Sequence, residues 1–130
     1  MFSEKERVIQ LLRNVIKEMD LIASMSAPIV TPNDFGTNLE GMTIFRACSM
    51  SLQYTTESFV KIRNIWGMDY FNRYKGVPWG RVFGMRNFLA HEYVEVDEEA
   101  IFSTIKEDIP ELKEISERML NDLESDALSN

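Results

Sequence analysis

The chain has 130 residues, 45% hydrophobic and 27% charged, a size and balance that support one packed core without disulfide or metal staples. No apolar run approaches the roughly 18–20 residues of a membrane span, and Met1-Phe2-Ser3-Glu4-Lys5-Glu6-Arg7 lacks the basic-then-apolar build of a signal peptide. One cysteine, Cys48, rules out an internal disulfide and fits a reducing compartment, so a cytoplasmic protein is expected.

Ser3-Glu4-Lys5-Glu6 is a capping-box pattern. Val8, Leu11, Leu12, Val15, Ile16, Met19, Ile22 and Met25 then recur at helical spacing, which predicts a first helix that Pro28 and Pro32 end. A loop should continue through Gly36, followed by a second long helix over about 38–66. Its apolar positions are Met42, Phe45, Cys48, Leu52, Phe59, Ile62 and Trp66, with Thr55 and Thr56 interrupting the stripe. Residues 67–76 are expected to form an aromatic, basic loop. Pro78 suits the first turn of a third helix, because its missing N–H would be unpaired there. That helix carries Trp79, Val82, Phe83, Met85, Phe88 and Leu89 and should end near residues 91–93. Asp97 is a good N-cap for a fourth helix, with Glu98 and Glu99 favoured in its first turn by the macrodipole. Pro110 either kinks this helix or begins a fifth that runs to about Glu124. No internal repeat and no convincing alternating strand is present, so the expected architecture is an all-α, up-and-down bundle of four to five helices in one domain over residues 1–130.

The net charge of −7 is unevenly spread. Residues 61–86 carry Lys61, Arg63, Arg73, Lys75, Arg81 and Arg86 against Asp69 alone, whereas residues 92–126 carry thirteen acidic side chains against Lys106, Lys113 and Arg118. The basic segment could receive a phosphate chain that the molecule as a whole would repel, or it could be only a solvated face.

That segment leads into Met85-Arg86-Asn87-Phe88-Leu89-Ala90-His91-Glu92-Tyr93, which holds the chain's one histidine. A lone histidine can be purely structural. Here a helix C-terminus favours its protonated form, Asn87 lies one turn earlier on the same face, and Arg86 supplies a permanent charge in a fork that matches phosphate. The spacing is awkward: five residues on an ideal helix place Arg86 and His91 about 140° apart. Either Arg86 wraps, the last turn unwinds, or a second copy of the helix completes the site across a two-fold axis. Tyr93 could be a packing aromatic, a phosphate-contacting hydroxyl or a modification target. Trp79, Phe83, Phe88 and Cys48 read most simply as core. The sequence contains no cysteine–histidine set for zinc, no aspartate-rich calcium loop and no glycine-rich phosphate loop, so a site without metal or cofactor is expected.

Arg86-Asn87-x-x-x-His91-x-Tyr93 resembles the Arg-x4-His-x-Tyr motif of the HEPN-domain toxins of the HepT type. Phe45-Arg46-Ala47 with Glu57, Val77-Pro78-Trp79 ahead of the motif, and Asp108-Ile109-Pro110-Glu111-Leu112 are similar to further segments of that family, and together they cover roughly residues 39–120. The departures are a second helix rich in Met, Ser and Thr and a long 67–76 segment. The resemblance implies a helical homodimer acting as a metal-independent endoribonuclease, with Arg86 and His91 catalytic in the dimer cleft and Asn87 supporting them. It implies a minimal nucleotidyltransferase antitoxin as partner, which would silence the toxin by adding AMP to Tyr93. Arg73, Lys75 and Arg81 are candidate RNA contacts. The alternative is a non-catalytic helical subunit that binds substrate or nucleotide for an associated nucleotidyltransferase. A plain helical dimer with a structural histidine is the third reading.

Overall fold

The computed structural model describes the backbone of residues 2–91 and 97–129, and the side chains within them except those of residues 87, 88, 90, 91 and 126–129. It is an all-α bundle: α1 (Glu4–Met25), α2 (Leu39–Trp66), α3 (Met68–Asn72), α4 (Trp79–His91), α5 (Glu98–Ser103) and α6 (Ile109–Ser129), with no strand among the described residues. No helix among them is long and apolar enough to cross a membrane.

α1 starts as its sequence requires. The Ser3 hydroxyl accepts from the Glu6 N–H at 3.1 Å, and the Glu6 carboxylate reaches back to that same hydroxyl rather than to the Ser3 backbone. Val8, Leu12, Val15, Met19 and Ile22 turn one fully buried stripe toward α2 and α6. The connection to α2 is more ordered than a plain loop. Pro32–Phe35 forms a 3-10 turn, and the Asp34 carboxylate accepts from the N–H groups of Val30 at 2.8 Å and Thr31 at 3.0 Å. Those two donors hold the Asp34 carboxyl below the usual aspartate range.

Asn38 caps α2 by accepting from the Gly41 N–H at 2.8 Å. Gly41 takes the inward position against the Asp34 carbonyl, where a Cβ would collide. Met42, one residue on, is therefore rotated by about 100° and lies 46% exposed, which corrects its expected place in the apolar stripe. The interruption at Thr55 and Thr56 is also buried. Their hydroxyls donate to the carbonyls of Ser51 and Gln53 at 2.8 and 3.0 Å, so the polar groups are satisfied inside the core. α2 is buried on several sides because α1, α3 and α4 all pack against it.

Residues 67–76 are not simply a loop. Gly67 ends α2 at φ 78°, and the chain immediately forms α3, which buries Tyr70 and Phe71. So short a helix is marginal by itself, and burial of its two rings sustains it. At the other end of the chain, α5, a π-helical stretch at Thr104–Asp108 and α6 make one continuous rod. Pro110 lies in the first turn of α6, the last helix expected from the sequence, but no break separates α6 from the stretch before it. Its ring cannot donate to residue 106, and the chain widens just before it, with the Ile109 N–H bonding to the Thr104 carbonyl. The rod runs antiparallel to α1, tied by Lys106 Nζ to the Ser26 carbonyl at 3.0 Å, Lys113 to Asp20 at 2.5 Å and Arg13 to Glu124 at 3.4 Å.

Candidate active site

α4 is positioned at its N-terminal end by aromatic packing. The Pro78 carbonyl accepts from the N–H groups of Arg81 at 2.9 Å and Val82 at 3.1 Å, so Pro78 sits one step outside the helix rather than in its first turn. The Trp79 indole donates to the Tyr74 carbonyl at 3.0 Å. Its ring meets Phe71 and Phe59 edge-on at 4.8 and 5.8 Å between centroids, and Phe71 meets Phe83 at 5.1 Å. Edge-to-face contacts fix ring orientation as well as separation, which orients the helix that carries Trp79 and Phe83. Val82 and Leu89 continue the buried face, and Met85 is half-buried.

Arg86 lies seven residues beyond Trp79, roughly 10 Å along the helix. Its side chain is 47% exposed, and its Nε donates to Glu57 Oε1 on α2 at 2.7 Å. That is the one side-chain hydrogen bond Arg86 makes among the described residues, and it uses the side of the guanidinium rather than its terminal pair of nitrogens. The bond is charge-assisted and spans two helices, so it sets where the guanidinium sits even though an exposed pair adds little stability. The helix continues without interruption to His91, which leaves the backbone positions of Arg86 and His91 about 140° apart. The side chains of Asn87 and His91 lie outside the described residues, as does Tyr93 altogether.

The other basic candidates do not gather around Arg86. Arg81 turns to the rod and pairs with Asp108 at 2.5 Å. Arg73 follows α3 with its guanidinium 6.0 Å from the Tyr70 ring centroid, and Lys75 is exposed in the α3–α4 connection, so both flank the start of α4 rather than its end. Two further charged residues lie near α4, Arg63 from the basic segment and Glu57 from α2. Arg63 places its guanidinium 4.4 Å from the Phe83 ring centroid. Glu57 was marked only by the family resemblance, and its pairing with Arg86 had no local signal, because the two stand 29 positions apart.

A cavity of about 50 Å³ lies between α2, α4 and the rod, lined by Leu52, Thr56, Val82, Met85 and Leu112 and rimmed by the Arg81–Asp108 pair. At the far end of the bundle the Tyr74 hydroxyl donates to Asp122 at 2.7 Å, and burial together with that carboxylate raises its pKa. Burial pushes the neighbouring Tyr70 up to about 12 and the fully buried Cys48 thiol up to about 11. Neither feature touches Arg86. Among the described residues, no group of three or more His, Cys, Asp or Glu side chains could hold a metal ion.

Residues 6–119, which include Arg86 and His91, match the family described as Ribonuclease HepT-like. Two proteins of Methanocaldococcus jannaschii, each named as an RNase by inference, are similar to the chain. One is 28% identical over 87% of this chain and 90% of its own length, the other 29% identical over 62% and 70%. A protein of Thermococcus cleftensis, named by inference as ribonuclease HepT, is 40% identical over 35% of this chain and 41% of its own length. No solved structure gives a significant match. An all-α bundle with an arginine-bearing fourth helix, matched over residues 6–119, the chain belongs to the HepT-like ribonuclease family.

Proposed function

We propose that this protein is a metal-independent endoribonuclease toxin, a single domain over residues 1–130 acting in the cytoplasm as a two-fold homodimer, with Arg86 and His91 of both copies lining one cleft. The observation that carries the reading is the way Arg86 is held: on an unbroken helix, bonded to Glu57 through Nε, a bond that takes up neither terminal nitrogen. An unbroken α4 gives no support to an unwound last turn, and the bond to α2 works against Arg86 wrapping toward His91 of its own chain. A second copy of α4 supplies the missing partner without distorting either helix. Among the apolar side chains left exposed on α2, Met50 at 74% and Tyr54 at 47% lie within two turns of Glu57 and suit a face that such a copy would cover.

RNA carries its own nucleophile, the 2′-OH. His91 takes its proton as general base or protonates the departing 5′ oxygen as general acid, a role that contributes about 10²–10⁴ in rate. Arg86 stabilises charge on the phosphoryl oxygens, about 3 kcal/mol by analogy with a lost oxyanion donor. Asn87 orients the imidazole or the phosphate, and Arg73, Lys75 and Arg81 contact the chain on either side. A minimal nucleotidyltransferase antitoxin silences the site by attaching AMP to Tyr93, which sets a bulky anion where a substrate phosphate would bind.

A second reading is favoured by the net charge of −7, since a free RNase gains from a basic surface: a non-catalytic subunit that serves an associated nucleotidyltransferase. One experiment separates the two. Purified protein, shown by intact mass to carry no AMP, is incubated with tRNA and an mRNA transcript in EDTA beside Arg86→Ala and His91→Ala. Cleavage that both substitutions lower by about 10²-fold or more supports the endoribonuclease. Parental cleavage by His91→Ala, or none by the unmodified protein, sinks it.

A further inference from the structure

We propose that Glu57 is a positioning residue for RNA cleavage: it anchors Arg86 through Nε so that the guanidinium meets the scissile phosphate with its terminal nitrogens already aimed. This deepens the preceding reading and rests on it. A guanidinium has five N–H donors in a fixed plane, and a carboxylate can engage it end-on through both terminal nitrogens or sideways through Nε. End-on pairing would occupy the donors that a phosphate needs. The contact here is sideways, Nε to Oε1 at 2.7 Å, and it comes from a different helix, so it restrains the long side chain.

Charge alone acts in the opposite direction. A carboxylate beside a phosphate-binding arginine repels the substrate's phosphates, so a Glu57 without a positioning role would hinder cleavage. Its removal would then leave the rate unchanged or raise it. As an anchor, its removal frees rotamers of Arg86, and a misplacement near 1 Å is enough to lower the rate by about 100-fold. Both partners are more than a third exposed, so losing the pair should hardly change stability.

The test is steady-state cleavage of a short single-stranded RNA by the parent, Glu57→Ala, Glu57→Gln, Arg86→Ala and the double variant Glu57→Ala/Arg86→Ala, with thermal unfolding of each. The expected result is a fall in kcat of about 10- to 100-fold for Glu57→Ala, with KM little changed. Glu57→Gln should recover most of that loss, because its amide oxygen still accepts from Nε. The double variant should be no slower than Arg86→Ala alone, since Glu57 acts through Arg86. Glu57→Ala at or above the parental rate overturns the proposal, as does a double variant slower than Arg86→Ala by the full Glu57→Ala factor. Parental activity in Arg86→Ala would instead overturn the underlying assignment of the site.

Discussion

The bundle's two sides solve the packing problem with different chemistry. Where α1 meets α6, the buried side chains are aliphatic or Met: Leu12, Val15, Met19 and Ile22 against Leu112, Ile115 and Met119. Where α2, α3 and α4 meet, a cluster of rings is added to the aliphatic side chains: Phe59, Phe71, Trp79 and Phe83, joined by edge contacts through Phe71 and Trp79. The cations follow the same division. Arg13 and Lys113 bridge two helices that are already packed, whereas Arg63 and Arg73 lie over rings and Arg86 is tethered to Glu57. Aliphatic contact holds helices together and tolerates small rotations. Ring edges also fix how a helix is turned, and the helix so fixed is the one that carries the candidate catalytic residues.

The largest test breaks each side in turn. Phe71→Ala should cost about 3–5 kcal/mol and Met19→Ala about 2–5 kcal/mol, read by denaturant unfolding. At a temperature where both variants remain folded, only Phe71→Ala should also slow RNA cleavage and shift tryptophan emission, because Phe71 touches Trp79. Equal slowing by Met19→Ala would erase the distinction between the two sides. Next in size, Arg86→Ala should lower cleavage by about 10²-fold while Arg13→Ala leaves it intact. Neither should change stability by more than about 1 kcal/mol, since both are exposed pairs.

A smaller effect separates the sides by pH. Tyr70 and Tyr74, at the aromatic end, both have pKa values raised by folding, Tyr70 to about 12. Their neutral forms therefore contribute stability in full below the unfolded value near 10, and that contribution is lost as pH rises through the folded values. Tyr74→Phe should cost about 1 kcal/mol near neutrality through the lost hydrogen bond to Asp122. Above pH 10 its melting temperature should fall less steeply than the parent's. Parallel curves would show that Tyr74 does not titrate with unfolding. The smallest change is Gly84→Ala in α4, where an added Cβ meets nothing within 4 Å, and a gain of about 0.5–1 kcal/mol in thermal unfolding is expected. Gly41→Ala should destabilise instead, because its Cβ would strike the Asp34 carbonyl.

Much of the candidate site could be read along the chain, and what escaped did so for physical reasons. Arg86 and His91 stood out because they are one short motif on one helix, and the 140° between them was already a statement about backbone geometry. Glu57 stood out only through a family resemblance, since its contact joins positions far apart in sequence. Arg81 is a candidate RNA contact by its charge, and its pairing with Asp108 could not be read along the chain, because it depends on how the rod lies against α4.

Local chemistry written in the sequence determined where the long helices begin and end. Ser3, Asn38 and Asp97 cap with their own side chains, Gly67 supplies a backbone angle that other residues avoid, and Pro78 marks the entry to α4. These signals act within a few residues, so no partner element is needed to read them. The tertiary structure alone decided the rest: α3 inside an expected loop, the burial of Thr55 and Thr56, the widened turn ahead of Pro110, the outward turn of Met42 and the tether on Arg86. Each of those depends on a surface supplied by another part of the chain, and a short helix, a buried hydroxyl or an ion pair is worth its cost only once that surface is in place.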